Sequence, residues 1–168
     1  LTMGTEGADL YLAHDGWLSS HGLTASRSLT LAHDGRRLSG VDALTALTAE
    51  ARRRFEDVMT QTAMAGAGFA IRFHLHPEAD ATLDMGGAAV SMALRSGEIW
   101  ILRYSGPAEL RLEPSAYLET GRVNPRPCTQ IVLRGEARSF ETRIGWTLAK
   151  AKDTPLAIRD LEGADGAA

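Results

Sequence analysis

A single cysteine, Cys128, in 168 residues leaves no partner for an internal disulfide and no thiolate set for a zinc ribbon. No apolar run approaches the roughly 20 residues that a membrane-spanning helix needs, and the first residues lack the basic-then-apolar layout of a signal peptide. The chain therefore reads as soluble, with its compartment undetermined. Aromatics are sparse at 6%, and only Lys150 and Lys152 of the 18 cations are lysines. Eighteen basic against 21 acidic residues give a net charge of -3, too weak a field to favour nucleic acid or an anionic membrane as partner. Walker A, GxGxxG, HExxH and GxSxG patterns are missing, so the nucleotide-hydrolysing, dehydrogenase, zinc-protease and serine-hydrolase readings lose their support. The cysteine stands in a Pro-rich stretch, Asn124-Pro125-Arg126-Pro127-Cys128, with no neighbouring base.

What the chain has is alternation. From Arg27 onward apolar residues recur with period 2, the pattern of strands with one face buried. Leu29, Leu31, Leu38 and Val41 flank His33-Asp34-Gly35, and Asp-Gly between alternating runs predicts a hairpin, which makes His33 a surface residue beside a turn. Ala81 to Met85, Ala88 to Leu94 and Ile99 to Tyr104, separated by Gly86-Gly87 and Ser96-Gly97, predict a three-stranded meander. Further strands are expected at Ala108 to Leu112, Thr129 to Leu133 and Ser139 to Leu148. Short strands at near-regular spacing with no crossover helices between them imply a mainly β, antiparallel β-sandwich over residues 1–149. One short helix is expected in an insertion at about 43–62, where Leu44, Leu47, Ala51, Phe55 and Val58 recur at steps of three and four. That helix lies on a sheet edge or offers its apolar stripe to a partner. Residues 150–168, rich in Asp, Gly and Ala, are expected to form a flexible tail. Opening on Leu1 and running at once into patterned sequence, the chain reads as the C-terminal part of a longer polypeptide.

Five histidines supply the side chains that titrate near neutrality. His74 and His76 are two apart in Phe69-Ala70-Ile71-Arg72-Phe73-His74-Leu75-His76-Pro77, so on a strand they share a face and two imidazoles can meet one metal ion. No third ligand is nominated, and the preferred reading makes them hydrogen-bonded inner-face residues beside Phe73 and Leu75. His14-Asp15-Gly16-Trp17 reads as a strand ending in a histidine, then a turn pair, then an aromatic. An imidazole beside an indole suits a sugar cleft, one carrying protons and the other offering an apolar plate to a pyranose ring. His21 falls in the loop that follows.

Taken in order, His14-Asp15-Gly16-Trp17, Gly22-Leu23, Arg27-Ser28-Leu29-Thr30-Leu31, Asp34-Gly35-Arg36-Arg37-Leu38-Ser39-Gly40, the Phe69 to Pro77 string, Gly97-Glu98-Ile99-Trp100 and Thr129-Gln130-Ile131-Val132-Leu133 resemble the C-terminal β-sandwich of bacterial heparinase II/III-like proteins, over about Leu10 to Leu148. The resemblance implies a polysaccharide lyase parent, with a helical α/α toroid ahead of the sandwich and cleavage of uronate-containing, glycosaminoglycan-type chains by β-elimination. In that chemistry a base takes the C5 proton of the uronate while an acid protonates the departing glycosidic oxygen. It also implies that His14 is an active-site residue assisting at the uronate carboxylate or sharing the proton, with Trp17 and His21 binding substrate. A divalent metal such as zinc, where relatives have one, is left to the parent, since its ligands precede Leu1, and none is assigned to this chain. Relatives usually carry Tyr at the Trp17 position, an Arg-aromatic pair at Ser20-His21, His-x-Arg-Arg at Ala25 to Ser28, and a short polar loop in place of the Ala43 to Thr62 insertion. The implied partners are an acidic polysaccharide and the toroid, and the chain alone is expected to be inactive. The alternative is a structural or carbohydrate-binding sandwich with no catalytic residue of its own.

Overall fold

The computed structural model of the chain describes residues 2–5, 7–121 and 123–151. Its order is β1 (Thr2–Met3), β2 (Gly7–Trp17), α1 (Leu18–His21), β3 (Leu23–Ala32), β4 (Arg37–Thr45), α2 (Ala49–Gln61), β5 (Ala67–His74), β6 (Asp80–Asp84), β7 (Ala89–Ala93), β8 (Ile99–Ser105), β9 (Glu109–Tyr117), β10 (Arg126–Ala137) and β11 (Glu141–Lys150). An eight-stranded sheet runs β1-β2-β3-β4-β11-β8-β7-β6 and a three-stranded sheet runs β5-β10-β9. Neighbouring strands in both are antiparallel, the sandwich that the alternation predicts. Val90, Met92, Leu102, Ile144 and Trp146 of the large sheet meet Leu110, Ile131 and Leu133 of the small one in a shared core.

The expected hairpin forms between β3 and β4, with His33 exposed in the turn and Gly35 in the left-handed region. The meander is β6, β7 and β8. The helix begins later than its apolar stripe suggests. Ala43 to Thr45 continue β4, paired with Arg143 to Glu141 on β11, because the ladder extends that far. Thr48 then starts α2 by accepting a hydrogen bond from the Ala51 N–H at 3.1 Å. Leu47, counted on the stripe, is exposed. The buried face of α2, Ala51, Phe55, Val58 and Met59, packs on Leu23, Ala46, Ala67 and Ala137, residues at the ends of four strands and their flanks. The apolar stripe is thus consumed in closing one end of the sandwich, and burying Phe55 alone contributes about 1.5–3 kcal/mol. Gly22 makes this closure possible, since a Cβ there would lie 2.1 Å from the Ala51 carbonyl oxygen.

Other expectations are corrected. Lys150, placed at the head of the expected tail, is the last residue of β11, and its ammonium is buried against Glu98. Beyond residue 151 the expected tail lies outside the described residues. Cys128 belongs to β10, opposite Ser115 on β9, rather than to a loop. Among the described residues no helix is long and apolar enough to cross a membrane.

The two sheets differ in width, and that difference places the site. β5 is the edge of the small sheet, whereas the large sheet continues past it through β3, β2 and β1. Leu12 and Leu31, which share the inner phase of the large sheet with Leu29, are 51% and 45% exposed because, among the described residues, the small sheet does not extend over them. The overhang forms a shelf, and the shelf and β5 enclose a cleft.

Candidate functional site

The cleft has a volume of about 530 Å³, within the usual range for small-molecule sites. Leu12, His14 and Trp17 of β2 form one wall, Ala67 to Arg72 of β5 the other, and Ala25, Arg27, Asp42 and Ile144 lie between them. His21 stands at one end, at the last turn of α1.

His14 and Trp17 reach the same face through a bulge. β2 pairs His14 with Ala25 and then Trp17 with Leu23, so two residues, Asp15 and Gly16, stand opposite Thr24 alone. In a regular strand, residues three apart point to opposite faces, and the one extra residue restores them to the same side. The turn expected at Asp15-Gly16 is therefore a strand irregularity. It is held by the Thr24 hydroxyl, which donates to Asp15 Oδ1 at 2.7 Å, and by the Gly16 N–H, which donates to His14 Nδ1 at 3.2 Å. The imidazole and indole centroids lie 4.7 Å apart at 55°. With Nδ1 accepting, a neutral His14 carries its proton on Nε2 and acts as a donor at that atom. Ser20 Oγ lies 2.8 Å from His21 Nδ1, which orients the second ring at the end of the cleft.

The floor holds a polar group that the sequence reading missed. Arg27 Nε donates to Asp42 Oδ1 at 2.7 Å, and Trp146 Nε1 donates to Asp42 Oδ2 at 2.8 Å. The Arg27 guanidinium lies 5.8 Å from the Phe73 ring centroid and 6.0 Å from that of Trp146, close enough for cation–π attraction. A signal was present: Arg27 falls in phase with Leu23, Leu29 and Leu31, and Asp42 with Leu38 and Leu44, so opposite charges interrupt two apolar phases. Without the hairpin register nothing in the linear text says that they face each other, as the ladder places them.

The remaining candidates are elsewhere. His74 and His76 do share a face, but it is the outer face of the small sheet, because Phe69, Ile71 and Phe73 take the inner phase. They are hydrogen-bonded, as expected, though not as inner-face residues. His74 Nδ1 lies 2.8 Å from Ser115 Oγ, and His76 Nδ1 accepts from the Glu78 N–H at 3.2 Å while its ring packs edge-on against Tyr117. Among the described residues no three His, Cys, Asp or Glu side chains converge as a metal site would require, and no residue here is assigned to a metal.

A family model described as heparinase II/III-like, C-terminal, matches residues 2–147. A curated relative, FtsZ-localized protein C of Caulobacter vibrioides, is 34% identical over 152 residues, covering 87% of this chain and 24% of that protein. Among solved structures, a mutant of heparan sulfate lyase HepC from Pedobacter heparinus superposes with a TM-score of 0.68 at 9% identity, covering 92% of this chain and 21% of that one. A heparinase III structure does so with a TM-score of 0.61 at 12% identity, covering 90% of this chain and 21% of that one. At such identities the structural likeness shows a common fold. The chain spans 24% of the curated relative and 21% of either lyase chain.

Proposed function

Since the chain belongs to the heparinase II/III-like C-terminal family, we propose that it serves as the sandwich domain of a longer heparinase-like polypeptide and forms one wall of a cleft where uronate-containing polysaccharide is cleaved by β-elimination. The observation that carries this reading is the shelf beside β5, which presents His14, Trp17 and His21 along a single cleft. Trp17, 46% exposed, offers an apolar plate for a pyranose face, and His21 borders the same sugar. His14, with its proton on Nε2, acts as a donor toward the uronate carboxylate or the departing glycosidic oxygen rather than as the base that removes the C5 proton. That base comes from the helical domain facing the shelf, and any divalent metal belongs to the parent. The test is turnover of the full-length parent on an acidic polysaccharide, followed by the absorbance of the unsaturated uronate product. His14→Ala lowers kcat on the order of 10²-fold; unchanged turnover refutes the role.

A second reading has its own support, because the relative at 34% identity is named for localising with FtsZ and not for a lyase activity. In this reading the sandwich is a non-catalytic structural or carbohydrate-binding module of a protein that localises with FtsZ. Fluorescently tagged parent tracking FtsZ rings equally well with and without His14→Ala, together with no lyase turnover, selects it. Diffuse fluorescence removes it.

A further inference from the structure

We propose that Arg27 is the carboxylate-reading residue of the cleft, selecting acidic over neutral sugars through the free end of its guanidinium. The inference rests on the uronate-cleft reading above and adds the residue that distinguishes an acid from a neutral sugar there. A guanidinium has five N–H donors in a planar fork. Asp42 takes only the one on Nε, at 2.7 Å, and is held in place on its other oxygen by Trp146. The four Nη hydrogens have no acceptor among the described residues. Arginine is retained at such positions where two parallel hydrogen bonds to a planar oxyanion are made, and a carboxylate presents two oxygens at matching separation.

The setting also fixes direction. Arg27 lies on the inner phase of β3, its Cα opposite Leu12, while His14 is opposite Ala25. His14 and Arg27 are therefore diagonal neighbours on one face, about 7–8 Å apart at the backbone. The guanidinium cannot turn away easily, since Phe73 and Trp146 flank it and Asp42 holds Nε. Its side chain is 35% exposed, so the fork remains accessible from the cleft. A pyranose lying against Trp17 and His14 would thus lie within reach of Arg27, and a uronate is selected there when its C5 carboxylate meets the fork. Asp42 balances the formal charge, so the pair stays stable when the cleft is empty, and selectivity comes from the geometry of the fork more than from net charge.

The experiment is calorimetric titration of the full-length parent, so that the wall contributed by the helical domain is present, with three ligands that carry no glycosidic bond at C4 of a uronate: methyl galacturonoside, its methyl ester and a sulfated methyl galactoside. Arg27→Gln leaves Asp42 without its cation and risks misfolding, so Arg27→Lys, which keeps a cation beside Asp42 and removes the fork, is measured beside it, with thermal unfolding as the check. The expected result is wild-type binding of the acid tighter than the ester and the sulfated sugar on the order of 10- to 100-fold. In Arg27→Lys that preference disappears while ester affinity is kept. Equal binding of acid and ester by wild type, a preference for sulfate, or a preference retained in Arg27→Lys overturns the assignment to Arg27 and leaves a sugar cleft standing. No binding of any of the three sinks the sugar cleft itself, and Arg27 with it.

Discussion

Gly40→Ala tests the seating on which the cleft floor depends. Gly40 of β4 is the register partner of Trp146 of β11, and the indole lies across the bare backbone. A Cβ at Gly40 would sit 2.3 Å from Trp146 Cζ2 and 2.4 Å from Cε2, where ordinary contact starts at 3.4 Å. The ring must retreat by about 1 Å, but Phe73 is packed edge-on against it with centroids 4.8 Å apart, and Trp146 itself is only 6% exposed. Crowding of this kind costs about 1–3 kcal/mol. A shift of that size also stretches the Trp146 Nε1 to Asp42 Oδ2 hydrogen bond from 2.8 Å beyond bonding range. Losing a hydrogen bond to a charged acceptor adds about 1.5–3 kcal/mol. Together the loss is about 2.5–6 kcal/mol, or a fall in Tm of about 5–24 °C for a chain of this size. Thermal unfolding followed by far-UV circular dichroism measures it, and near-UV circular dichroism reports the tryptophan environment. Gly68→Ala is the control, because nothing lies within 4 Å of a Cβ there and its φ is not positive, so its Tm stays near wild type. If Gly40→Ala melts with the control, Trp146 is not seated on Gly40 and the positioning of Asp42 and Arg27 derived from it fails.

Two further outcomes follow from groups far from the cleft. Lys150 and Glu98 form an ion pair with side chains 3% and 10% exposed, so Lys150→Met, which strands the carboxylate, destabilises by about 3–5 kcal/mol, whereas the double variant Lys150→Met with Glu98→Leu recovers most of that in denaturant melts; a double variant as unstable as the single one contradicts this account. The Ser91 hydroxyl, and after it the Met85 N–H, hold the Asp84 carboxyl below its ordinary value of 3.8. A depressed folded value stabilises the fold above 3.8, and the contribution is lost as pH falls through the folded value, so the Tm gap between wild type and Ser91→Ala narrows on acidification below that point. A gap that stays constant, or widens, refutes it.

Local pattern alone determined that this chain is an antiparallel sandwich. Alternation at Leu29 and Leu31, the Asp34-Gly35 turn and the Gly-punctuated run from Ala81 to Tyr104 are short-range signals, since side-chain period and turn chemistry act within a few residues. The same is true of the stripe through Ala51, Phe55 and Val58. His14, Trp17 and His21 were likewise legible as candidates, from residue type and from resemblance to the heparinase sandwich. What the text could not decide was everything set by pairing between distant strands. Ala43 to Thr45 fit a helical stripe and are a strand because β11 lies beside them. Asp15-Gly16 carries turn chemistry and forms a bulge because Thr24 alone stands opposite it, between the His14–Ala25 and Trp17–Leu23 pairs. His74 and His76 face outward because β5 turns its phenylalanines toward the core shared with the large sheet. The cleft itself exists because eight strands face three, so β2 and β3 extend past the covering layer. Only then do Arg27 and Asp42, 15 residues apart in the chain, oppose each other beneath Trp146, which lies 104 residues from Asp42. Sheet width and register arise from the balance of burial over the whole chain, and no window of neighbouring residues contains that balance.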